Sequence, residues 1–256
     1  MKGDLFKGIV QYELQDGHGY KGKLPVFYPD ASSIAAVFTA STSVVRRHLP
    51  HPGLHLVELV PGRCLVGFTA FEYRASDIGP YNEVSIGFPI TFGHRSIPGL
   101  DLVTSLARRT FGGYVWQLPV TTERARYGGV QLYGYPKFLA DIELRTAGGW
   151  VECVLRADGE PILTLRVRQG PARSGRVTRY KTISMKDGVP LATNIYVLPH
   201  AMFETFDRSA ATLELGTRHA VCEALRAIGL GARPLLSQHI PSSESILFGP
   251  RNLIDD

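Results

Sequence analysis

Residues 151–167 read VECVLRADGEPILTLRV, two runs of alternating apolar and polar residues that meet at Asp158-Gly159. Side chains two apart share one face of an extended chain, so each arm spells a strand with one face buried. Aspartate followed by glycine suits the left-handed backbone of a two-residue hairpin turn. The pattern recurs at 180–198, YKTISMKDGVPLATNIYVL, turning at Asp187-Gly188, and at 54–73, LHLVELVPGRCLVGFTAFEY, around Pro61-Gly62. Further strand-like runs occupy 84–92, 114–120, 138–145 and 245–248. Helical signals are few. Ser41 can cap 42–49, TSVVRRHL, which must stop at Pro50; Thr121 or Thr122 can cap a short helix starting at Glu123; and 217–231, TRHAVCEALRAIGLG, has apolar helical spacing with a stop at Gly229. Many hairpins and few helices predict one mainly β (α+β) domain over 1–256, its antiparallel sheet closed or folded on itself. Strand-helix-strand alternation is missing, which argues against a doubly wound nucleotide fold.

The bulk numbers exclude several classes. At 256 residues, with 44% hydrophobic and 20% charged content, the chain is long enough and apolar enough for a sizeable core. No apolar run approaches the roughly 20 residues of a membrane span, and the N-terminal stretch lacks the apolar core of a leader. With three cysteines and no Cys-x-x-Cys pair, the expectation is a cytoplasmic protein with reduced thiols and no thiolate metal site. The net charge of +5 suits small anions but is too diffuse to imply nucleic acid. The densest basic stretch, 166–181 (RVRQGPARSGRVTRYK), offers only Tyr180 for base stacking. Its alternation predicts the solvated outer face of two strands joined by a turn.

Two motifs fail on context. GHGYKG (17–22) spells the dinucleotide glycine pattern, but Pro25 and Pro29 follow it, so no helix begins where a pyrophosphate would need one. His48, His51 and His55 are separated by Pro50 and Pro52 and have no carboxylate among them, which argues against a metal site.

Lys137 is different. In YGYPKFLADI (133–142) it sits between a stiff Tyr-Pro bend and an apolar run. Lysine attacks carbonyls as the neutral amine, and apolar burial favours that form by up to roughly 3–5 pKa units. Tyr133, Tyr135, Phe138 and Leu139 are the expected desolvating company. Taken alone, however, a Pro-Lys bend is also an ordinary place for a solvated lysine.

The stretch resembles the acetoacetate decarboxylase family, whose signature is a Pro-Lys-Lys turn carrying a Schiff-base lysine. The likeness extends in order along most of the chain. TTERARYGGVQLYGYPKFLADIEL (121–144) resembles the family's acid, short helix, glycine, Pro-Lys turn and strand. IGPYNEVSIGFPITF (78–92) resembles the segment in which a glutamate precedes a strand; VVRRHLPHPGL (44–54) resembles its early helix. LELGTRHAVCEAL (213–225) and LLSQHIPSSESILFGP (235–250) look like its closing helix and strand. The resemblance implies an antiparallel closed β-barrel or cone with a few short helices, a homo-oligomer, and a cofactor-free, metal-free lyase acting on a small keto acid. The family is itself a reference case of an activated Schiff-base lysine.

Carried across, Lys137 takes the Schiff-base position and Glu83 that of the conserved acid. Phe138 and Gln131 become candidate substrate-binding residues, Phe138 as pocket wall. Glu123 reads instead as a first-turn acid of a helix. The departures are specific. The second lysine of the pair is Phe138, the family's Gly-Arg-Glu reads Gly129-Val130-Gln131, its strand arginine falls at Thr39, and a further glutamate falls near Phe68, with Glu72 the nearest acid. These changes bear on substrate carboxylate contacts more than on the lysine. The expected reaction is decarboxylation of acetoacetate or a related β-keto acid; the rivals are an aldolase-dehydratase using the same iminium, and a barrel that binds without turnover.

Overall fold

The computed structural model describes residues 4–15 and 20–254. In chain order the first half runs β1 (Tyr12–Gln15), β2 (Lys21–Leu24), β3 (Val26–Ser41), α1 (Thr42–Val45), β4 (Leu54–Leu56), β5 (Glu58–Val60), β6 (Arg63–Ala75), β7 (Tyr81–Phe92), α2 (Leu100–Arg108) and β8 (Thr110–Gln117). The second half runs α3 (Glu123–Tyr133), β9 (Asp141–Ala147), β10 (Trp150–Ala157), β11 (Glu160–Arg168), β12 (Thr178–Lys186), β13 (Val189–Thr205), β14 (Ala211–Leu215), α4 (Ala220–Ala227), β15 (Leu236–Leu247) and β16 (Arg251–Asn252). Both expected Asp-Gly hairpins are present, joining β10 to β11 and β12 to β13. Asp158 and Asp187 have φ of 52° and 51°, and the glycines after them 76° and 80°, the paired left-handed geometry of a type I′ turn.

Seven strands close a barrel in the order β7-β8-β12-β13-β15-β3-β6, with β6 pairing back onto β7. Every barrel pair is antiparallel except β8 with β12. Parallel neighbours need a long crossover; here it carries α3 and the strands β9 to β11. A second sheet, ordered β14-β11-β10-β9, lies against the barrel. The main core fills the space between the two sheets. Ile34, Ala36 and Phe38 of β3, Val66 and Phe68 of β6, and Val84, Ile86 and Phe88 of β7 pack with Cys153, Leu155, Leu163 and Leu165, and α4 adds Val221 and Leu225. On all three barrel strands these are the even-numbered residues. Strand alternation therefore turns the odd-numbered ones inward, which makes the barrel interior a separate compartment.

The basic stretch 166–181 departs from its expected hairpin. It leaves the flanking sheet at the end of β11 and enters the barrel at β12. Each strand already has both edges occupied, β11 by β10 and β14, β12 by β13 and β8, so the two cannot pair with each other. Arg166 and Arg168 both lie over the Trp150 ring, at 5.5 Å. Of the glycine-rich turn, Gly17 and Gly19 lie outside the described residues, while Gly22 belongs to β2 and β3 follows without an intervening helix. His48 packs edge-on against Trp116 and His51 stacks on Phe92. Cys64, Cys153 and Cys222 are buried free thiols. Among the described residues, no helix is long and apolar enough to cross a membrane.

Candidate active site

A cavity of about 220 Å³ lies inside the barrel, and all seven barrel strands contribute to its wall. Alternation decides who enters. Tyr81, Glu83 and Ser85 of β7 and Thr69, Phe71 and Tyr73 of β6 face the cavity, while the even-numbered Phe68, Ala70, Val84 and Ile86 serve the outer core. Glu83 is thus inward because it keeps the phase of Tyr81, and it is buried.

Lys137 arrives from outside the barrel strands. Thr122 caps α3 by accepting from the Ala125 N–H, and the helix ends at Gly134, which has φ 62°. A side chain at Gly134 would also meet the Met185 carbonyl at 2.7 Å, so glycine is required there twice over. The Lys137 N–H then donates to the Tyr135 carbonyl at 2.7 Å, a tight turn at Pro136 that aims the side chain back into the barrel. Residues 118–121 splice this turn to β7. Val120 bridges Glu83 on one side and Leu139 on the other, its N–H donates to the Phe138 carbonyl, and the Ala140 N–H donates to the Val120 carbonyl. Glu83 and Lys137, 54 residues apart in sequence, become neighbours across one short segment.

Lys137 Nζ donates to Glu83 Oε2 at 2.7 Å, and the two side chains are 7% and 9% exposed. The Tyr81 ring centroid lies 5.5 Å from Nζ. The rest of the wall mixes aromatic, hydroxylic and aliphatic side chains. Tyr28 and Tyr81 share a hydroxyl contact of 3.3 Å, and Tyr135 meets the Thr182 hydroxyl at 2.7 Å. Burial pushes the Tyr135 and Tyr180 phenols up to about 12. It also raises Tyr28, Tyr73 and Tyr81, with the Glu83 carboxylate as a further cause. These phenols therefore stay protonated near neutrality, as uncharged donors. A buried amine, a carboxyl in proton-transfer contact with it and a ring of neutral donors can together form and hydrolyse an imine.

The two other expected contacts lie elsewhere. Phe138 is not among the described residues of the cavity wall; it packs into the core outside the barrel and stacks on His219. Successive side chains of an extended chain point opposite ways, so the residue after an inward lysine faces out. Gln131 is exposed on α3. That helix buries Ala125, Gly128, Gly129 and Tyr133, the i, i+3, i+4 spacing of one face, and position 131 falls on the opposite side. Leu139 is 48% exposed. Of the expected apolar company Tyr135 shares the cavity wall with Lys137, and Tyr81, Val115 and Leu118 join it there. Glu72 ion-pairs with Arg74 outside the cavity, Thr39 accepts from Arg63, and Phe68 belongs to the outer core. Glu123 sits in the first turn of α3, paired with Arg126. The sequence reading missed Tyr28, Tyr73, Tyr81 and Tyr180. Tyr73 and Tyr81 carried a signal, the odd phase they share with Glu83 on β6 and β7; Tyr28 on β3 and Tyr180 on β12 are even-numbered and carried none of that kind.

A family model described as acetoacetate decarboxylase matches residues 14–233. Among solved structures, an acetoacetate decarboxylase superposes with a TM-score of 0.61 at 18% identity, covering 90% of this chain and 89% of that one. An acetoacetate decarboxylase from Legionella pneumophila gives 0.64 at 15% identity, with 90% and 87% covered. The enduracididine biosynthesis enzyme MppR, complexed with the condensation product of pyruvate and imidazole 4-carboxaldehyde, gives 0.61 at 13% identity, with 90% and 89% covered. At these identities the superpositions speak for the fold alone. No curated protein matches the sequence.

Proposed function

From the premise that this chain belongs to the acetoacetate decarboxylase family, an enzyme family of lysine-based lyases, we propose that Lys137 forms an imine with a small carbonyl substrate and Glu83 moves the protons. One observation carries this reading, the hydrogen-bonded Lys137–Glu83 pair enclosed in the barrel cavity. A proton passing from Nζ to Glu83 along their hydrogen bond frees the amine for attack, and its return to the carbinolamine oxygen releases water. The resulting iminium lies beside the Tyr81 ring, whose face favours positive charge. It then accepts the electron pair of a bond breaking at the adjacent carbon. Glu83 takes up a proton from the substrate hydroxyl in an aldol cleavage or from water in a decarboxylation, and delivers it to that carbon before hydrolysis returns the amine.

The bond that breaks names the reaction. Loss of CO2 from acetoacetate or a related β-keto acid is the first reading; retro-aldol cleavage or dehydration through the same iminium is the second. A carboxylate on the substrate is required for the first and optional for the second. Borohydride reduction in the presence of a panel of oxo compounds, followed by intact-mass measurement, tests the shared step. The expected result is one covalent adduct in the wild type and none in Lys137→Ala. A folded wild type that gives no adduct would leave a binding barrel in place of an enzyme.

A further inference from the structure

The barrel cavity is electrically balanced before any substrate enters. Among the described residues of its wall, Lys137 supplies the one cation and Glu83 the one carboxylate, and they meet at 2.7 Å. Charges beyond the wall are engaged with one another or with polar groups. Arg109 and Glu204, whose charges act on the Tyr180 phenol of the wall, are held by donation to the Thr178 hydroxyl and by acceptance from the Gln238 amide. Arg74 binds Asp30 and Glu72, and Arg63 donates to Thr39. The Gln238 amide, which reaches the wall, already donates to Glu204. Burial keeps the cavity phenols in their neutral form.

Imine formation conserves this balance only for some substrates. The Lys137 ammonium and a carbonyl compound give an iminium and one water: the carbonyl carbon gains its bond to Nζ, and the oxygen leaves with two of the nitrogen's protons. A neutral aldehyde or ketone therefore ends as one iminium beside one carboxylate, the same charge count as at rest. A keto acid brings a second carboxylate, and the described residues of the wall hold no second cation to meet it. An unpaired charge in a dry site is unfavourable enough that a group takes up a proton instead. The electroneutral keto-acid adduct thus needs one proton from solvent, on Glu83 or on the substrate, and it weakens as pH rises.

We infer that the substrate is an uncharged aldehyde or ketone, and that the Lys137–Glu83 charge balance selects against keto acids. The inference rests on the Lys137 imine reading above. It makes aldol-type cleavage, condensation or dehydration the reaction class, because loss of CO2 requires a carboxylate that the cavity does not accommodate.

The test compares matched pairs that differ in charge: methyl acetoacetate against acetoacetate, and methyl pyruvate against pyruvate. Each is trapped with borohydride on the whole protein, normalised to its reaction with Nα-acetyl-lysine, and the adduct is mapped to Lys137. At about pH 8 the ester should half-saturate Lys137 at a concentration at least about tenfold lower than the acid. The acid's adduct should decline toward about tenfold per pH unit on the alkaline side, while the ester's holds level over the same range. Glu83→Gln removes the resident anion and should shift the preference toward the acid. Equal trapping of acid and ester in the wild type overturns charge selection and leaves the imine reading standing. A folded Glu83→Gln that keeps the wild-type preference overturns it as well, and the wild-type pH series decides alone if that variant does not fold. No adduct at Lys137 with either member of a pair overturns the imine reading and this inference together.

Discussion

Lys137 and Glu83 stabilise each other as much as they position each other. Neither side chain reaches a tenth of its possible exposure, so removing one partner strands the other. Lys137→Met leaves a carboxylate buried without its cation, and breaking a buried pair costs about 3–5 kcal/mol. Urea denaturation should show a loss of that size for the single variant and a clearly smaller one for Lys137→Met/Glu83→Gln, in which both groups are neutral. Equal losses would mean that the pair contributes no mutual stabilisation. Phe138 makes the contrasting case. It packs outside the barrel against the core and His219, so Phe138→Ala should cost about 1–3 kcal/mol of stability and leave the pH profile of imine trapping at Lys137 unchanged. A shifted profile would return Phe138 to the pocket wall that the sequence suggested. That suggestion took adjacency in sequence for adjacency in space, and extended backbone separates the two. Lys137 and Glu83 were legible because their segments resemble a family pattern, one that also takes in Tyr135 before the Pro-Lys turn and Tyr81 in the Gly-x-Tyr approach to Glu83; Tyr73 needed the strand phase.

At the scale of elements, α3 controls the lysine through a missing side chain. A Cβ on Gly129 would stand 2.4 Å from Lys137 Cδ and 2.6 Å from Cε, contacts that force the lysine stem aside. The helix itself gains from the change, since alanine is favoured over glycine in a helix interior by roughly 0.5–1 kcal/mol. Gly129→Ala should therefore trap imine at least about tenfold more slowly, a barrier change of roughly 1.4 kcal/mol or more, while its melting temperature moves little. A normal trapping rate would show that the stem has room to give. Element legibility followed turn chemistry. The Asp-Gly hairpins and the Thr122 cap were readable because a few residues dictate them locally. The length of β3 was hidden by a bulge at which Pro29 and Asp30 oppose the single residue Glu244 of β15; it moves the inward phase from Tyr28 to Ala31, Ser33 and Ala35. Helix α2 drew no expectation; its Leu100, Val103 and Leu106 share one face at helical spacing, and that face is exposed. The 166–181 stretch misled for a different reason: it alternates like a hairpin, but its two arms serve different sheets.

Closure of the barrel is a property of the whole chain, since it depends on β6 pairing with β7 as well as with β3, and no local run of residues encodes it. Its consequence is a compartment lined with phenols, and that gives the molecule an alkaline limit. Burial holds Tyr135 and Tyr180 up to about 12, against 10.0 for an unperturbed tyrosine, and raises Tyr28, Tyr73 and Tyr81 as well. A phenol whose folded value lies above its unfolded one keeps its proton more firmly in the fold. Its contribution to stability is complete below about pH 10 and is lost as pH rises toward about 12, where the unfolded chain ionises first. Tyr135 and Tyr180 together can withdraw on the order of a few kcal/mol across that window, a large share of a typical domain's stability. Phenolate absorbance and near-UV circular dichroism, followed together through an alkaline titration, should show the exposed tyrosines ionising near pH 10 with the fold intact. The barrel tyrosines should then ionise in a second, steeper step that coincides with loss of the near-UV signal. Tyr135→Phe and Tyr180→Phe should each move that step to higher pH by removing one such group. If all the tyrosines ionised together near pH 10 while the near-UV signal persisted, the barrel interior would be open to water, and the dry, charge-balanced cavity on which the imine chemistry depends would be lost as an explanation.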